Sequence, residues 1–121
     1  MNQDLIFFSA GEPSGDLHAS YLIASLKKRY PTLSFIGLGG DKMREQGCHV
    51  IVDNKKMAVV GVSEILGHLP EIMKSAFKMK SVIKKQKPAT LILVDYPGFN
   101  LRLAKFCKKR GMRVIYYIPP Q

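Results

Sequence analysis

Two carboxylates stand where an acid–base reaction would need them. Asp95 ends the apolar stretch "TLILV" and opens the loop "DYPGFN", while Glu12 lies in "AGEPSGD", directly behind the apolar run "LIFFS". A carboxylate at the carboxyl end of a buried strand is partly desolvated, which pushes its pKa toward the range useful to a general base. The competing reading of Asp95 is a turn carboxylate that accepts hydrogen bonds from nearby backbone N–H groups. Glu12 has three readings: base, orienter of a substrate hydroxyl, or support for its own turn. Nothing in the spacing alone decides among them.

The glycines around these carboxylates are the second chemical signal. Gly11 and Gly15 fall in the first loop, and Gly39 and Gly40 in "GLGGD". Neither loop is a G-x-G-x-x-G fingerprint or a P-loop. Each is able to present backbone N–H groups at a helix N-terminus, a seat for one phosphate, and each equally suits a tight strand-to-helix turn. His18, His49 and His68 show no metal-ligand spacing, so no metal and no cofactor are expected. Cys48 and Cys107 are read as free thiols, too few and too isolated for a disulfide framework.

These residues must be held by the elements between them. "LIFFS" reads as a buried strand, and a helix follows from Asp16, which is placed to cap it, to the basic end before Pro31. "LSFIGLGG" is a second strand, "DKMREQG" a short helix, and "HVIV" a third strand. The segment "VGVSEILGHLPEIMKSAFKMKSVIKKQKP" carries apolar residues at helical spacing, with Pro70 expected to split it in two. "TLILV", a basic helix "FNLRLAKFCKKRG" and the strand "RVIYYI" complete the chain. Strands apolar on both faces, alternating with helices, predict an α/β fold: a Rossmann-like open parallel sheet with helices on both faces. In such sheets ligands bind outside the carboxyl ends of the strands, where the three glycine-bearing loops converge.

Composition bounds the partners. The 121 residues suit one domain, and 46% of them are hydrophobic, typical of a folded chain. No apolar run approaches the roughly 20 residues of a membrane-spanning helix, and the first residues lack the features of a secretory signal, so a cytoplasmic protein is expected. The net charge of +10 falls wholly in residues 71–121, which hold twelve Lys or Arg against two acids. A one-sided basic surface attracts polyanions, or merely solvates two surface helices. No nucleic-acid motif accompanies the lysines, and no nucleic-acid partner is expected. Two rival readings are a self-contained nucleotide-binding enzyme and a basic module for anionic lipid or nucleic acid.

The stretches "AGEPSGDLHA", "FIGLGGDKM", "MAVVGVSEIL" and "LILVDYPGFNLRLAKF", in this order, resemble the start of the lipid-A-disaccharide synthase family. The resemblance implies an inverting, metal-independent glycosyltransferase of the GT-B type, peripheral on the inner face of the inner membrane. It would join UDP-2,3-diacylglucosamine to 2,3-diacylglucosamine 1-phosphate, giving lipid A disaccharide phosphate and UDP. By resemblance Asp95 is the candidate base and Glu12 an active-site acid. Gly11, Ser14, Gly15, Asp16, Gly39, Gly40 and Asn100 then belong to the substrate cleft. A second Asp frequent in the family loop is replaced here by Gly98. The apolar stripe that includes Val62, Ile65, Leu66 and Leu69 reads by spacing first as core covering the sheet; on the resemblance these four would instead dip into an anionic membrane surface, the basic residues adding attraction. Residues 1–121 would form the acceptor-side domain, and the donor-binding C-terminal domain expected from the family is absent from this sequence. On this reading the chain alone is expected to be inactive.

Overall fold

The computed structural model of the chain describes residues 1–57 and 62–118, the side chains of 62–69 and 118 excepted. The elements alternate as expected: β1 (Asn2–Ala10), α1 (Pro13–Arg29), β2 (Ser34–Gly39), α2 (Asp41–Glu45), β3 (His49–Asp53), a 3₁₀ turn (Asn54–Met57), α3 (Val62–Gln86), β4 (Pro88–Val94), α4 (Pro97–Lys109) and β5 (Arg113–Ile118). Among the described residues the strands form one sheet in the order β3-β2-β1-β4-β5, with every neighbouring pair parallel. This is the predicted Rossmann-like α/β architecture.

Period-two alternation in β1 explains the two layers. Leu5 and Phe7 join Leu38, Leu91, Leu93, Met79, Ile83 and Leu103 beneath α3 and α4. Ile6, Phe8 and Ala10 face the other way, against Ala19 and Ile23 of α1, Met43 of α2, and Ile92 and Val94. Phe7 and Phe8 are both fully buried, so the central strand has no solvent face. The chain winds outward from β1 through β2 to β3, then crosses back to β4 on the other side of β1. The order therefore reverses between β1 and β4, and the crevice of an open α/β sheet lies at such a switch point.

Two local expectations are corrected. The helix expected from Asp16 begins at Pro13, with Glu12 at the N-cap and no side-chain capping bond. Proline at the first helical position has no N–H to leave unsatisfied, and its fixed φ suits the helix. The split expected at Pro70 does not occur, since α3 runs through it as one 25-residue helix. Proline removes one i→i−4 bond, at a cost of about 3 kcal/mol. Burial of Met79 and Ile83 farther along α3 opposes that cost.

Cys48 and Cys107 are buried free thiols. Burial pushes each up to about 12, so neither is a reactive thiolate near neutral pH.

The Arg44 guanidinium on α2 joins Asp53 at the end of β3 at 2.9 Å. Burial opposes ionisation of Asp53, but the Lys55 N–H and Arg44 outweigh it and hold the carboxyl below its ordinary 3.8. A lowered folded-state pKa gives stability that is full above 3.8 and lost as pH falls through the folded value. Arg44 is largely exposed, so solvent screening limits the pair to about 0.5 kcal/mol. Asp53→Asn should melt slightly below wild type at pH 7, and the gap should be smaller at pH 2.5. A gap of the same size at both values would rule out the ion pair as its source.

Candidate active site at the β1/β4 switch point

Ala10 pairs with Val94, so β1 and β4 release their chains from the sheet at the same level. Gly11 and Glu12 leave one strand, and Asp95 and Tyr96 the other. The two loops touch through Tyr96. A Cβ on Gly11 would lie 2.5–2.9 Å from the Tyr96 ring, so only glycine lets the ring lie flat there. The Tyr96 hydroxyl donates to the Met57 carbonyl at 3.1 Å. Its phenol is pushed above the ordinary range, first by burial and then by the Glu12 carboxylate.

Asp95 and Tyr96 both adopt left-handed backbone conformations, with φ of 51° and 50°. For non-glycine residues each costs about 1–3 kcal/mol and persists only where the surroundings over-determine it. The surroundings here are hydrogen bonds to one oxygen. The Asp95 carbonyl accepts from Asn100 Nδ2 at 2.8 Å and from the Tyr116 hydroxyl at 2.6 Å. Asn100 is fully buried. Its Oδ1 accepts from Ser9 Oγ at 2.6 Å, and its Nδ2 also donates to the Ser9 carbonyl at 3.1 Å. One amide thus staples the carboxyl ends of β1 and β4 together.

The Asp95 and Glu12 side chains are half-buried. Among the described residues neither carboxylate accepts a hydrogen bond or joins an ion pair. Glu12 lines an open cleft of about 500 Å³ together with Ile72, Tyr96, Pro97, Gly98, Phe99 and Arg102. Asp95 is not among its lining residues, though its neighbour Tyr96 is. Among the described residues, a Cβ on Gly98 would meet nothing within 4 Å.

The other predicted site residues separate into two groups. Gly11 and the exposed Ser14 lie with Glu12 at the start of α1, and buried Gly15 packs close to Ala10 and Val94. Asp16 and Gly40 are joined to each other instead, with Gly39 next in the chain. Asp16 Oδ1 accepts from the Gly40 and Met43 N–H groups at 2.9 and 3.0 Å, and Oδ2 from Lys42 N–H at 3.1 Å. The anion at the start of α2 is therefore the protein's own. The seat for a phosphate that sequence allowed there is filled by Asp16. A Cβ on Gly39 would overlap the Met43 side chain, which would have to shift, and one on Gly40 would meet Asp16.

The side chains of Val62, Ile65, Leu66 and Leu69 lie outside the described residues. Farther along α3, Met73 and Phe77 are 63% and 77% exposed, flanked by Lys74 and Lys78. They line a shallow groove of about 510 Å³ with Ser81 and Val82. Part of the basic excess is structural, since Lys80, Lys84 and Arg110 stand 5.3–5.9 Å from the Phe106 ring between α3 and α4. Sequence reasoning missed Ser9, Tyr96, Arg102 and Tyr116. Only Tyr116 carried a hint, as a polar tip inside the apolar run "RVIYYI".

A family model described as lipid-A-disaccharide synthetase matches residues 6–121. The chain belongs to this family. It is 47% identical over 116 residues to the lipid-A-disaccharide synthase of Trichlorobacter lovleyi, an alignment covering 96% of this chain and 30% of that protein. It is 48% identical over 117 residues to the synthase of Nitrosococcus oceani, covering 97% and 30%. With the Coxiella burnetii synthase it shares 44% over 121 residues, covering 100% and 32%. The chain thus spans about 30% of the length of the curated family members it matches, corresponding to an N-terminal portion.

Proposed function

We propose that this chain is the acceptor-side domain of a lipid-A-disaccharide-forming glycosyltransferase. The acceptor would be 2,3-diacylglucosamine 1-phosphate and the donor UDP-2,3-diacylglucosamine. The observation that carries the reading is the meeting of two half-buried carboxylate loops at the β1/β4 switch point of a chain of this family. The reaction would proceed with inversion and without a metal. A carboxylate, Asp95 or Glu12, removes the proton from the acceptor 6-hydroxyl as that oxygen attacks the anomeric carbon. UDP leaves with the electrons of the broken bond. Arg102, on the cleft wall, is available to the acceptor phosphate.

In this reading the donor is held by a further domain, so residues 1–121 alone form no disaccharide. Turnover by the purified chain would contradict that. No helix among the described residues is long and apolar enough to cross a membrane. Acylated substrates call for contact with a bilayer surface, and exposed Met73 and Phe77 beside Lys74 and Lys78 support shallow, charge-assisted docking on the inner face of the inner membrane.

The test is calorimetric titration of a short-chain 2,3-diacylglucosamine 1-phosphate, below its micelle threshold, into the folded chain. Saturable binding is expected, weakened about tenfold in Asp95→Asn, the change that follows loss of one charged hydrogen bond. Absence of binding by a folded wild-type chain would sink the acceptor assignment.

A further inference from the structure

We propose that Tyr116 is a positioning residue for Asp95, acting with Asn100 through the Asp95 carbonyl oxygen; as a statement about catalysis this rests on the reading above. Two donors from different elements meet on that one oxygen. Tyr116 reaches it from β5, where it pairs in register with Leu93, two residues before Asp95. Asn100 reaches it from α4 and is itself tied to Ser9 on β1. The 95–96 peptide plane is thereby fixed by donors from two elements, one of them braced by a third.

That plane sets two consequences at once. It holds Asp95 and Tyr96 at positive φ, the geometry that turns the chain from β4 into α4. It also fixes the direction in which the Asp95 side chain leaves the backbone, because the Cα–Cβ bond moves with φ and ψ. With the Tyr116 bond removed, Asn100 alone opposes the relaxation of two strained residues, and the carboxylate samples other directions. A base must sit within hydrogen-bond reach of the proton it takes, so such wandering weakens its engagement with the acceptor. The Asp95 carboxylate in turn adds to burial in pushing the Tyr116 phenol up, which keeps the hydroxyl protonated as a donor.

The experiment compares wild type, Tyr116→Phe and Tyr117→Phe by heteronuclear NMR and by titration with short-chain 2,3-diacylglucosamine 1-phosphate. The readouts are the Asp95 carbonyl resonance and the HN–Hα couplings of Asp95 and Tyr96, which report the carbonyl hydrogen bond and φ. In Tyr116→Phe the resonance and both couplings should shift and acceptor affinity should fall about fivefold, the loss of one neutral hydrogen bond. Tyr117→Phe, a change on an exposed neighbour, should alter neither. Unmoved resonance and couplings in Tyr116→Phe overturn the proposal. It is equally overturned if they move while affinity holds and Asp95→Asn binds more weakly. If the wild type binds no acceptor, the functional reading falls, and the resonance and couplings still decide the backbone clamp. Should Tyr116→Phe fail to fold, the wild type decides: a slowly exchanging Tyr116 hydroxyl proton close to the 95–96 peptide supports the clamp, and a freely exchanging one overturns it.

Discussion

Asp16→Ala is expected to destabilise the chain by about 3 kcal/mol, from two orphaned buried N–H groups and a lost charge-assisted cap. For a chain of this length that lowers Tm by about 10 °C. The magnitude follows from where the three N–H donors sit. Gly40 and Met43 are buried, so their N–H groups find no water when the carboxylate goes, whereas Lys42 is exposed and rehydrates. Both buried donors bond the same oxygen, Oδ1. Asp16→Asn keeps that oxygen and loses only the charge and the Lys42 bond, so it should cost about 1 kcal/mol, in the range of a single hydrogen bond. The ordering of the two variants is diagnostic. A second readout comes from Cys48, whose thiol is pushed up to about 12 first by burial and then by Asp16. Removing the carboxylate and loosening α2 should make Cys48 the first thiol to react with a disulfide reagent. If Asp16→Ala melts with the wild type, the trans-cap is not what holds α2 to α1.

That cap also shows what the sequence could and could not reveal. Asp16 has the type and position of an N-cap for α1, but Glu12 holds that place and Asp16 caps α2 instead. The helix it serves begins 25 positions later, and no local pattern encodes that pairing. The same limit hid the Ser9–Asn100–Tyr116 network, whose members lie on β1, α4 and β5. Each is unremarkable in its own segment, and their convergence exists only once the sheet is ordered. The alternation of apolar strands and helices was legible because both periodicities are local, and the parallel sheet followed from it. The two carboxylates were legible for a related reason. Asp95 and Glu12 each end or follow a short apolar run, and the carboxyl end of a buried strand is where a loop meets the crevice. The left-handed backbone of Asp95 was not. Asp95 and Tyr96 have ordinary residue types for a turn, so backbone strain at the candidate base left no trace in composition.

The glycines of β2 set up the largest expected effect. Gly39 and Gly40 drew attention because they end a strand, yet Gly37, inside β2, is the position least able to change. Gly37→Ala should destabilise by at least about 4 kcal/mol, enough to leave a domain of ordinary stability largely unfolded. Its φ is 150°, outside what a side chain readily adopts. An added Cβ would overlap the Phe8 carbonyl oxygen on β1, the very residue Gly37 pairs with. Backbone of the central strand cannot yield as a flexible side chain does, because Phe8 is fully buried and bonded on its other edge to β4. Relief would require β2 to lift from β1, which separates Ile36 and Leu38 from the core beneath α3. Gly39→Ala offers the contrast, since its Cβ would meet the side chain of Met43, and a thioether can rotate away. Circular dichroism melts of the two variants side by side test this directly. Gly37→Ala should show little or no cooperative transition, while Gly39→Ala should retain one at reduced temperature. A Gly37→Ala chain that melts cooperatively near the wild-type temperature would mean that β1 and β2 do not approach as closely as this pairing requires.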